Sequence, residues 1–563
     1  MVKRILKIFY QEFSGLHKAA LILASSAIAS SLLGLLRDRL LAGNFGAGQS
    51  LDIYYAAFKI PDFLYTFLLS VVSVTVLIPF FLEKVSSSQE EGNVFLNSIF
   101  TFFLLVVFLL GAVVFFFTPH LSKIIAPGFS IEAGQQLISV TRILLLSPLL
   151  LGLSNLFSSV VQSYNKFFIY ALSPIFYNVG IILGIIFFLP VYGINGVVIG
   201  VVIGAIMHLG VQIPVIIKLG FFPSVSLKLL KTNFSEIWKV AKLSFPRTFG
   251  LGLNQLVFVF ITAIASFLGA GSIAVFNLSF SLQSVPLAVV GVSYSVAAFP
   301  TLAKFFVNHQ HKEFVEHTIV AIRQIMFWSI PIMMMIIVLR AQIVRVILGS
   351  GRFDWQDTRL TAAALALFAV SITAQSLIIL FVRSFYAAGK TWKPVFINVL
   401  SSVFIIGLSL WFAKSIKAPL FFKDLFESIL RVEGVEGTSM LVLPLFFSIG
   451  MIFNVVLLFF LFQKDFGGVW IFVRRTFFQV LTASFLMSVV CYFFLGVLDG
   501  IFNINTFVGI FSQGLISAVF GGGVWYFILR MVGNKELEEI LGSLKQKFWR
   551  TPVIAPEPEV LDR

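Results

Sequence analysis

Apolar stretches of roughly 20 residues follow one another through most of this chain, each long enough to cross the hydrocarbon core of a bilayer. Lipid offers the backbone no hydrogen-bond partners, so a crossing segment must satisfy its own amides, as a helix or a closed barrel does. The two-residue alternation of barrel strands is absent, which leaves helices. The expected spans are 19–41, 51–83, 95–117, 137–162, 168–190, 193–217, 237–268, 272–303, 318–339, 360–386, 393–413, 440–462, 476–498 and 506–530, about fourteen transmembrane helices. Segments 51–83 and 272–303 exceed one straight crossing. Pro61, Pro79, Pro286 and Pro300 within them predict kinks or breaks. The fold class is therefore all-α, a polytopic membrane protein.

The chain also repeats itself at an offset of about 220 residues. Pro174-Ile175-Phe176-Tyr177-Asn178-Val179 returns as Pro394-Val395-Phe396-Ile397-Asn398-Val399. Gly46-Ala47-Gly48 returns as Gly269-Ala270-Gly271, Pro79 as Pro300, and Gly128-Phe129 more loosely as Arg352-Phe353. Four landmarks in one order at nearly one offset mark a duplicated half rather than a solenoid. In a membrane protein, such a duplication points to a transporter with its site between the halves. Six helices per half make a parallel repeat about an axis along the membrane normal, with two C-terminal helices outside it.

Composition then separates two meanings of charge. The chain is 59% hydrophobic and 12% charged, with a net charge of +15. A basic balance can signal nucleic acid, but here Lys and Arg gather in alternate loops, from Lys3, Arg4 and Lys7 through Lys84, Lys228 and Lys304 to Arg474, Arg475 and Lys535. The opposite side holds Lys123 and mixed-charge loops at 340–359 and 414–439. The excess sets topology, with both termini cytoplasmic, and no nucleic-acid partner is expected. The lone Cys491 excludes a disulfide framework and a cysteine metal site. Arg37-Asp38-Arg39, not a small-residue cleavage site, ends the first apolar run, so no cleavable signal peptide is expected.

The expected organisation is a cytoplasmic interfacial segment at 1–17, an N-lobe of helices 1–6 at 18–218 and a cytoplasmic linker at 219–236. C-lobe helices 7–11 follow at 237–414, then an extracytoplasmic amphipathic insertion at 415–439 and C-lobe helix 12 at 440–463. Helices 13–14 occupy 464–533, and a cytoplasmic tail runs from 534 to 563.

Ionisable residues inside a membrane are costly and mark function by default. Arg37, Asp38, Arg39, Asp52, Lys59 and Asp62 fall in or beside the first two helices, whereas later spans hold few, among them Arg142, His208, Arg247, Arg323 and Arg383. In the functional reading, Arg37, Arg39 and Lys59 receive an anion such as a diphosphate, with Asp38 and Asp52 holding them. In the structural reading, Arg37 and Arg39 snorkel to the interface, Asp38 caps or pairs there, and Asp62 starts a helix after Pro61. Asn254, Gln255 and Gln283 are polar candidates for a cavity wall. Most of the serines are better read as close-packing residues, and His208 as a satisfied packing residue. Asn178 and Asn398, recurring in both halves, suggest a shared structural hydrogen bond. There is no GxxxxGK[ST] loop, no metal-ligand spacing and no nucleophile–base pair, so neither a cofactor nor catalysis is expected.

The run Gly34-Leu35-Leu36-Arg37-Asp38, Phe45-Gly46-Ala47-Gly48, Asp52 and Ala57-Phe58-Lys59-Ile60-Pro61 resembles the start of MurJ/MviN proteins. So do Ala126-Pro127-Gly128-Phe129 and Tyr164-Asn165-Lys166-Phe167. Arg383-Ser384-Phe385-Tyr386-Ala387 with Lys390-Thr391 and Pro394 is similar to that family's R-x-F-Y-A…D-T-x-x-P. These landmarks cover roughly residues 20–400. The resemblance implies the multidrug/oligosaccharidyl-lipid/polysaccharide exporter fold in a bacterial inner membrane, with two six-helix lobes around a central cavity. It implies flipping of lipid II, the undecaprenyl-diphosphate-linked peptidoglycan precursor, with cell-wall synthesis proteins as partners. The two extra helices would form a groove for the lipid tail, Gly521-Gly522-Gly523 permitting close approach. The chain departs from the family's pattern at Ser31, at Tyr65, Thr66, Ser70 and Val71, and at Phe280-Ser281, where the family usually has charged residues. A flippase for another polyprenyl-linked oligosaccharide, of O-antigen or capsule type, and a non-transporting scaffold therefore stay open as alternatives.

Overall fold

A computed structural model describes residues 16–71, 74–414 and 427–549, without the side chains of 16–24, 70–75, 243–251, 253–254, 413–414 and 543–549. The expected interfacial segment at 1–17, the tail beyond 549 and the first part of the 415–439 insertion lie wholly or largely outside the described residues. Within them the chain is helical, with no strand. Among the described residues ten helices are long and apolar enough to cross a membrane, eleven if Trp355–Ala369 and Ile372–Ala387, bent by 43°, are counted as one span. This is a multi-pass membrane protein. Large apolar side chains such as Phe108, Phe116 and Phe396 stand outward, as a lipid-facing surface requires.

The remaining three of the fourteen expected spans each include residues outside the described set. The first expected span forms helix Leu16–Phe45, part of whose side chains are outside the described residues. The second is interrupted at Phe58, between Gln49–Ala57 and Lys59–Val71, and residues 72–73, before Val74–Ser87, lie outside the described residues. The seventh lies in Phe234–Ala265, where the side chains of 243–251 and 253–254 are outside the described residues and Gln255–Ala265 is the apolar stretch that remains.

The prolines act less uniformly than the sequence suggests. In 51–83 the first interruption is Phe58, while Pro61 sits in the first turn of Lys59–Val71, where a missing N–H costs no helical bond. Pro79 lies inside Val74–Ser87 and Pro300 inside Ser293–Val307 without ending either helix. Pro286 ends Ser272–Pro286, and the next residues, Leu287–Val292, form a π-helical turn.

Two compact units emerge. The first comprises Met1–Val285, Ile343–Phe368 and Val395–Phe453. Helices Phe167–Leu183 and Ile194–Gly210 meet there backbone to backbone, because a Cβ on Gly180 would lie 2.2 Å from the Gly204 Cα. Five rings, Phe258, Phe276, Phe280, Phe368 and Phe447, pack edge to face, with Phe280 centroids 5.0 Å from Phe258 and 5.6 Å from Phe368. Where Lys84 meets Glu236 at 2.6 Å, the hydrogen bond holds the ammonium above its ordinary range.

The second unit comprises Pro286–Gln342, Ala369–Pro394 and Asn454–Arg563. Its last two long helices, Trp470–Asp499 and Phe507–Met531, form a hairpin in which Phe494 stacks on Phe520 at 4.1 Å. Of the three consecutive glycines only Gly521 lies against the neighbouring helix, its Cβ position 3.1 Å from Met487 O. Gly522 and Gly523 face open space. Buried Glu536 opens the following helix, Lys535–Trp549, and accepts from Arg323 and from Thr476.

Candidate functional site

The charges near the amino end are gathered by the first unit. Arg37 donates through Nε at 3.0 Å and Nη2 at 2.8 Å to one carboxylate oxygen of Asp38, and through Nη1 at 3.2 Å to Asn178 Oδ1. Asn178 is itself fixed, donating to Ser30 Oγ at 3.2 Å and to the Pro174 carbonyl at 3.2 Å. The second Asp38 oxygen accepts from Ser281 Oγ at 2.6 Å. A guanidinium has five N–H groups, so two of them remain for a ligand. A quarter of the Arg37 side chain is accessible, against 3% for Asp38. Asp38 is thus a buried positioning group and Arg37 the presented cation.

Lys59, buried at the start of Lys59–Val71, donates to Asn277 Oδ1 at 3.3 Å and lies 5.6 Å from the Phe258 ring centroid. Asn277 and Ser281 belong to the same helix, Ser272–Pro286, four residues apart. Four residues is a single helical step of about 6 Å on one face. The anchors of the two cations therefore stand one above the other. In the sequence Asn277 and Ser281 stand out only as polar residues of a possible second lining, not as the shared support of Arg37 and Lys59; their spacing of four was the available signal. Buried Gln283 lies on the same helix. Gln255 lies on the neighbouring helix Phe234–Ala265, and the side chain of Asn254 is outside the described residues.

Asp52 does not pair with the cations. Its two carboxylate oxygens accept from the Gly271 amide at 2.6 Å and the Ala274 amide at 2.7 Å, satisfying free donors at the start of Ser272–Pro286. Arg39 likewise serves backbone, donating to the Val346 carbonyl at 2.6 Å near the end of His311–Leu348.

These contacts belong to a seam in which the repeated turns lock one another. Asp357 accepts from the Ala47 amide at 3.0 Å, much as Asp52 does from Gly271. The Arg352 amide donates to the Gly43 carbonyl at 2.8 Å, and the Gly128 amide donates to Ser266 Oγ at 2.9 Å. In the duplication Gly128 corresponds to Arg352 and Ser266 to Gly43, so corresponding positions are joined in both halves, once through a backbone carbonyl and once through a serine hydroxyl. Gly271 has φ +90° and its Cβ position lies 2.0 Å from the Ala47 carbonyl oxygen; no side chain fits.

His208 Nδ1 lies 2.7 Å from Ser154 Oγ, next to Gln212, Ser158 and Ser173, a satisfied packing network. Among the described residues no group of acidic, His or Cys side chains could hold a metal ion.

Residues 41–512 match the family described as MurJ, Lipid II flippase MurJ. The probable lipid II flippase MurJ of Buchnera aphidicola subsp. Acyrthosiphon pisum (strain APS) is 29% identical over 377 residues, 65% of this chain and 72% of that protein. Its counterpart in Rickettsia prowazekii (strain Madrid E) is 27% identical over 406 residues, 71% of this chain and 79% of that protein. A solved structure, Lipid II flippase MurJ in an inward closed conformation, has a TM-score of 0.70 at 25% identity and covers 90% of this chain and 99% of its own. An inward-facing multidrug resistance MATE family transporter of the MOP superfamily shares the fold at a TM-score of 0.58 and 13% identity, covering 81% of this chain and 99% of its own.

Proposed function

The chain belongs to the MurJ family, and from that premise we propose that it carries lipid II from the inner to the outer leaflet by alternating access. The observation that carries the reading is the stacking of two cation anchors on one helix face, Asn277 for Lys59 and Ser281, through Asp38, for Arg37. A diphosphate presents anionic oxygens a few ångströms apart, which a guanidinium fork and an ammonium one step along a helix complement. Asp38 holds Arg37 in its rotamer and keeps one carboxylate from competing for the ligand.

In this mechanism the seam is the outer closure. Its hydrogen bonds between the turns at 43–52, 126–128, 266–274 and 350–357 must part for the head group to leave outward. The similarity to an inward closed relative supports reading the seam as shut. The polyprenyl tail stays in lipid, along the hairpin Trp470–Asp499 and Phe507–Met531, where Gly522 and Gly523 leave an open strip. Both termini are assigned to the cytoplasm of a bacterial inner membrane on the distribution of Lys and Arg. The protein acts as a transporter without chemistry of its own, and cell-wall synthesis proteins are the natural suppliers and consumers of its cargo.

The test is a lipid II translocation assay with Arg37→Ala and Lys59→Ala together. Loss of flipping with retained folding is the expected result, and undiminished flipping would reject the site. Phe280, where the family usually carries charge, sits in a ring cluster instead, which favours a second reading: a different polyprenyl-linked glycan. Rescue of a MurJ-depleted bacterium separates the two.

A further inference from the structure

A groove of about 770 Å³ in the second unit is lined by ions that already have partners, Lys390 paired with Asp465 inside the lining and Arg323 paired with Glu536 outside it. A second groove, of about 690 Å³ in the first unit, is different. It runs between Gln89–Ile125 and the pair Ile131–Leu144 and Leu146–Ser163, lined by Phe108, Phe115, Leu146 and Leu149 on its apolar side and by Gln135, Ser139 and Arg142 on its polar side. Phe108 is 77% exposed and Leu146 50%, so the groove opens on the lipid-facing surface.

Arg142 is the unusual occupant. Its Nε is buried without a hydrogen-bond partner, and no described residue gives its guanidinium a hydrogen bond or an ion pair. The group lies 4.7 Å from the Phe115 ring centroid, a cation held against an aromatic face. A charge at membrane depth ordinarily faces the protein interior or pairs with an opposite charge. This one faces a groove.

The surroundings define what would complete it. Phe115 precedes His120 and Lys123 by five and eight residues, about 8 and 12 Å along the helix, so the guanidinium sits just beneath the polar end of the span. Residues 135, 139, 142 and 146 recur at helical spacing on one face. Side chains lean toward the start of their helix, which directs Arg142 toward Ser139, Gln135 and the interface. On the opposite wall Gly111 packs against Leu149, its Cβ position 3.4 Å from Leu149 Cδ2, and the small side chain of Ala112 borders the groove. No acidic side chain lines the groove; Glu132, ten residues before Arg142, is about 15 Å away along the axis.

We propose that this groove is a binding site for an anionic glycerophospholipid, its phosphate held by Arg142 with Ser139 and Gln135, and one acyl chain laid along Phe108, Phe115, Leu146 and Leu149. A single uncompensated cation with two hydrogen-bonding neighbours matches one phosphodiester. The surrounding lining matches hydrocarbon.

The full chain in detergent, titrated with phosphatidylglycerol and separately with phosphatidylcholine, tests this by native mass spectrometry. The wild type is expected to retain one phosphatidylglycerol more tightly than phosphatidylcholine. Arg142→Gln should weaken that site about tenfold, and Arg142→Lys should restore part of it. Ala112→Leu, which narrows the groove from a partly exposed position and leaves the guanidinium in place, should weaken it as well, with the melting temperature of each variant reporting retained folding. Lys123→Gln removes a nearby exposed cation that does not line the groove and should change nothing. Equal binding of the two lipids, an unaltered Arg142→Gln titration, or equal losses from Arg142→Gln and Lys123→Gln would each overturn the proposal.

Discussion

Asp52 accepts the amide of Gly271 at 2.6 Å across 219 residues of sequence, joining one copy of the repeated glycine turn to the neighbourhood of the other. A carboxylate bonded to two free amides at a helix start is a charge-assisted cap. Hydrogen bonds to charged groups contribute about 1.5–3 kcal/mol each. Asp52→Ala removes the cap and leaves both amides without their acceptor. Thermal unfolding in detergent should shift downward by several degrees, and Asp52→Asn, which keeps one acceptor oxygen, should recover part of the loss.

Two glycines in the same turn should respond differently to alanine. Both have positive φ, +109° for Gly269 and +90° for Gly271, so each substitution carries backbone strain of about 1–2 kcal/mol. At Gly269 nothing lies within 4 Å of the new Cβ, whereas at Gly271 the Ala47 carbonyl is 2.0 Å away. Gly269→Ala should fold and flip at reduced stability. Gly271→Ala should hold the seam apart and lose transport; equal behaviour of the two in melting and flipping assays would refute the close approach.

The Arg37 support is testable by a double-mutant cycle on Asp38 and Ser281. Asp38→Ala frees the guanidinium from its carboxylate and should reduce flipping strongly, because the cation leaves its position. Ser281→Ala removes one hydrogen bond to a carboxylate, worth about 1.5–3 kcal/mol, and should have a smaller effect than Asp38→Ala. The two effects should be non-additive, since the hydroxyl acts only through Asp38. Additive losses in the translocation assay would contradict that.

In the second unit, Glu536 is 1% exposed and is held by Arg323 and Thr476. Breaking a buried pair by removing one partner costs about 3–5 kcal/mol. Glu536→Ala should release helix Lys535–Trp549, seen as faster amide hydrogen exchange there, while exchange in helix Phe167–Leu183 stays unchanged. Protection equal to wild type in Lys535–Trp549 would show that the ion pair does not hold the helix.

Apolar length and repetition made the helices and the duplication legible in the sequence, because both depend on patterns local to each segment. Arg37, Asp38 and Lys59 were legible as costly charges. What the sequence could not show was the direction in which each charge is spent. Asp52 looked like a partner for cations and serves amides 219 residues away, and Arg39 serves carbonyls 307 and 308 residues on. Glu536 looked like part of a solvated tail, since nothing in Lys535-Glu536-Leu537-Glu538-Glu539 distinguishes the one acid that is buried.

The twofold character of the seam has a kinetic corollary. A latch fastened at two places releases only when both fastenings part, so weakening either the Gly43–Arg352 or the Ser266–Gly128 bond should make release more frequent.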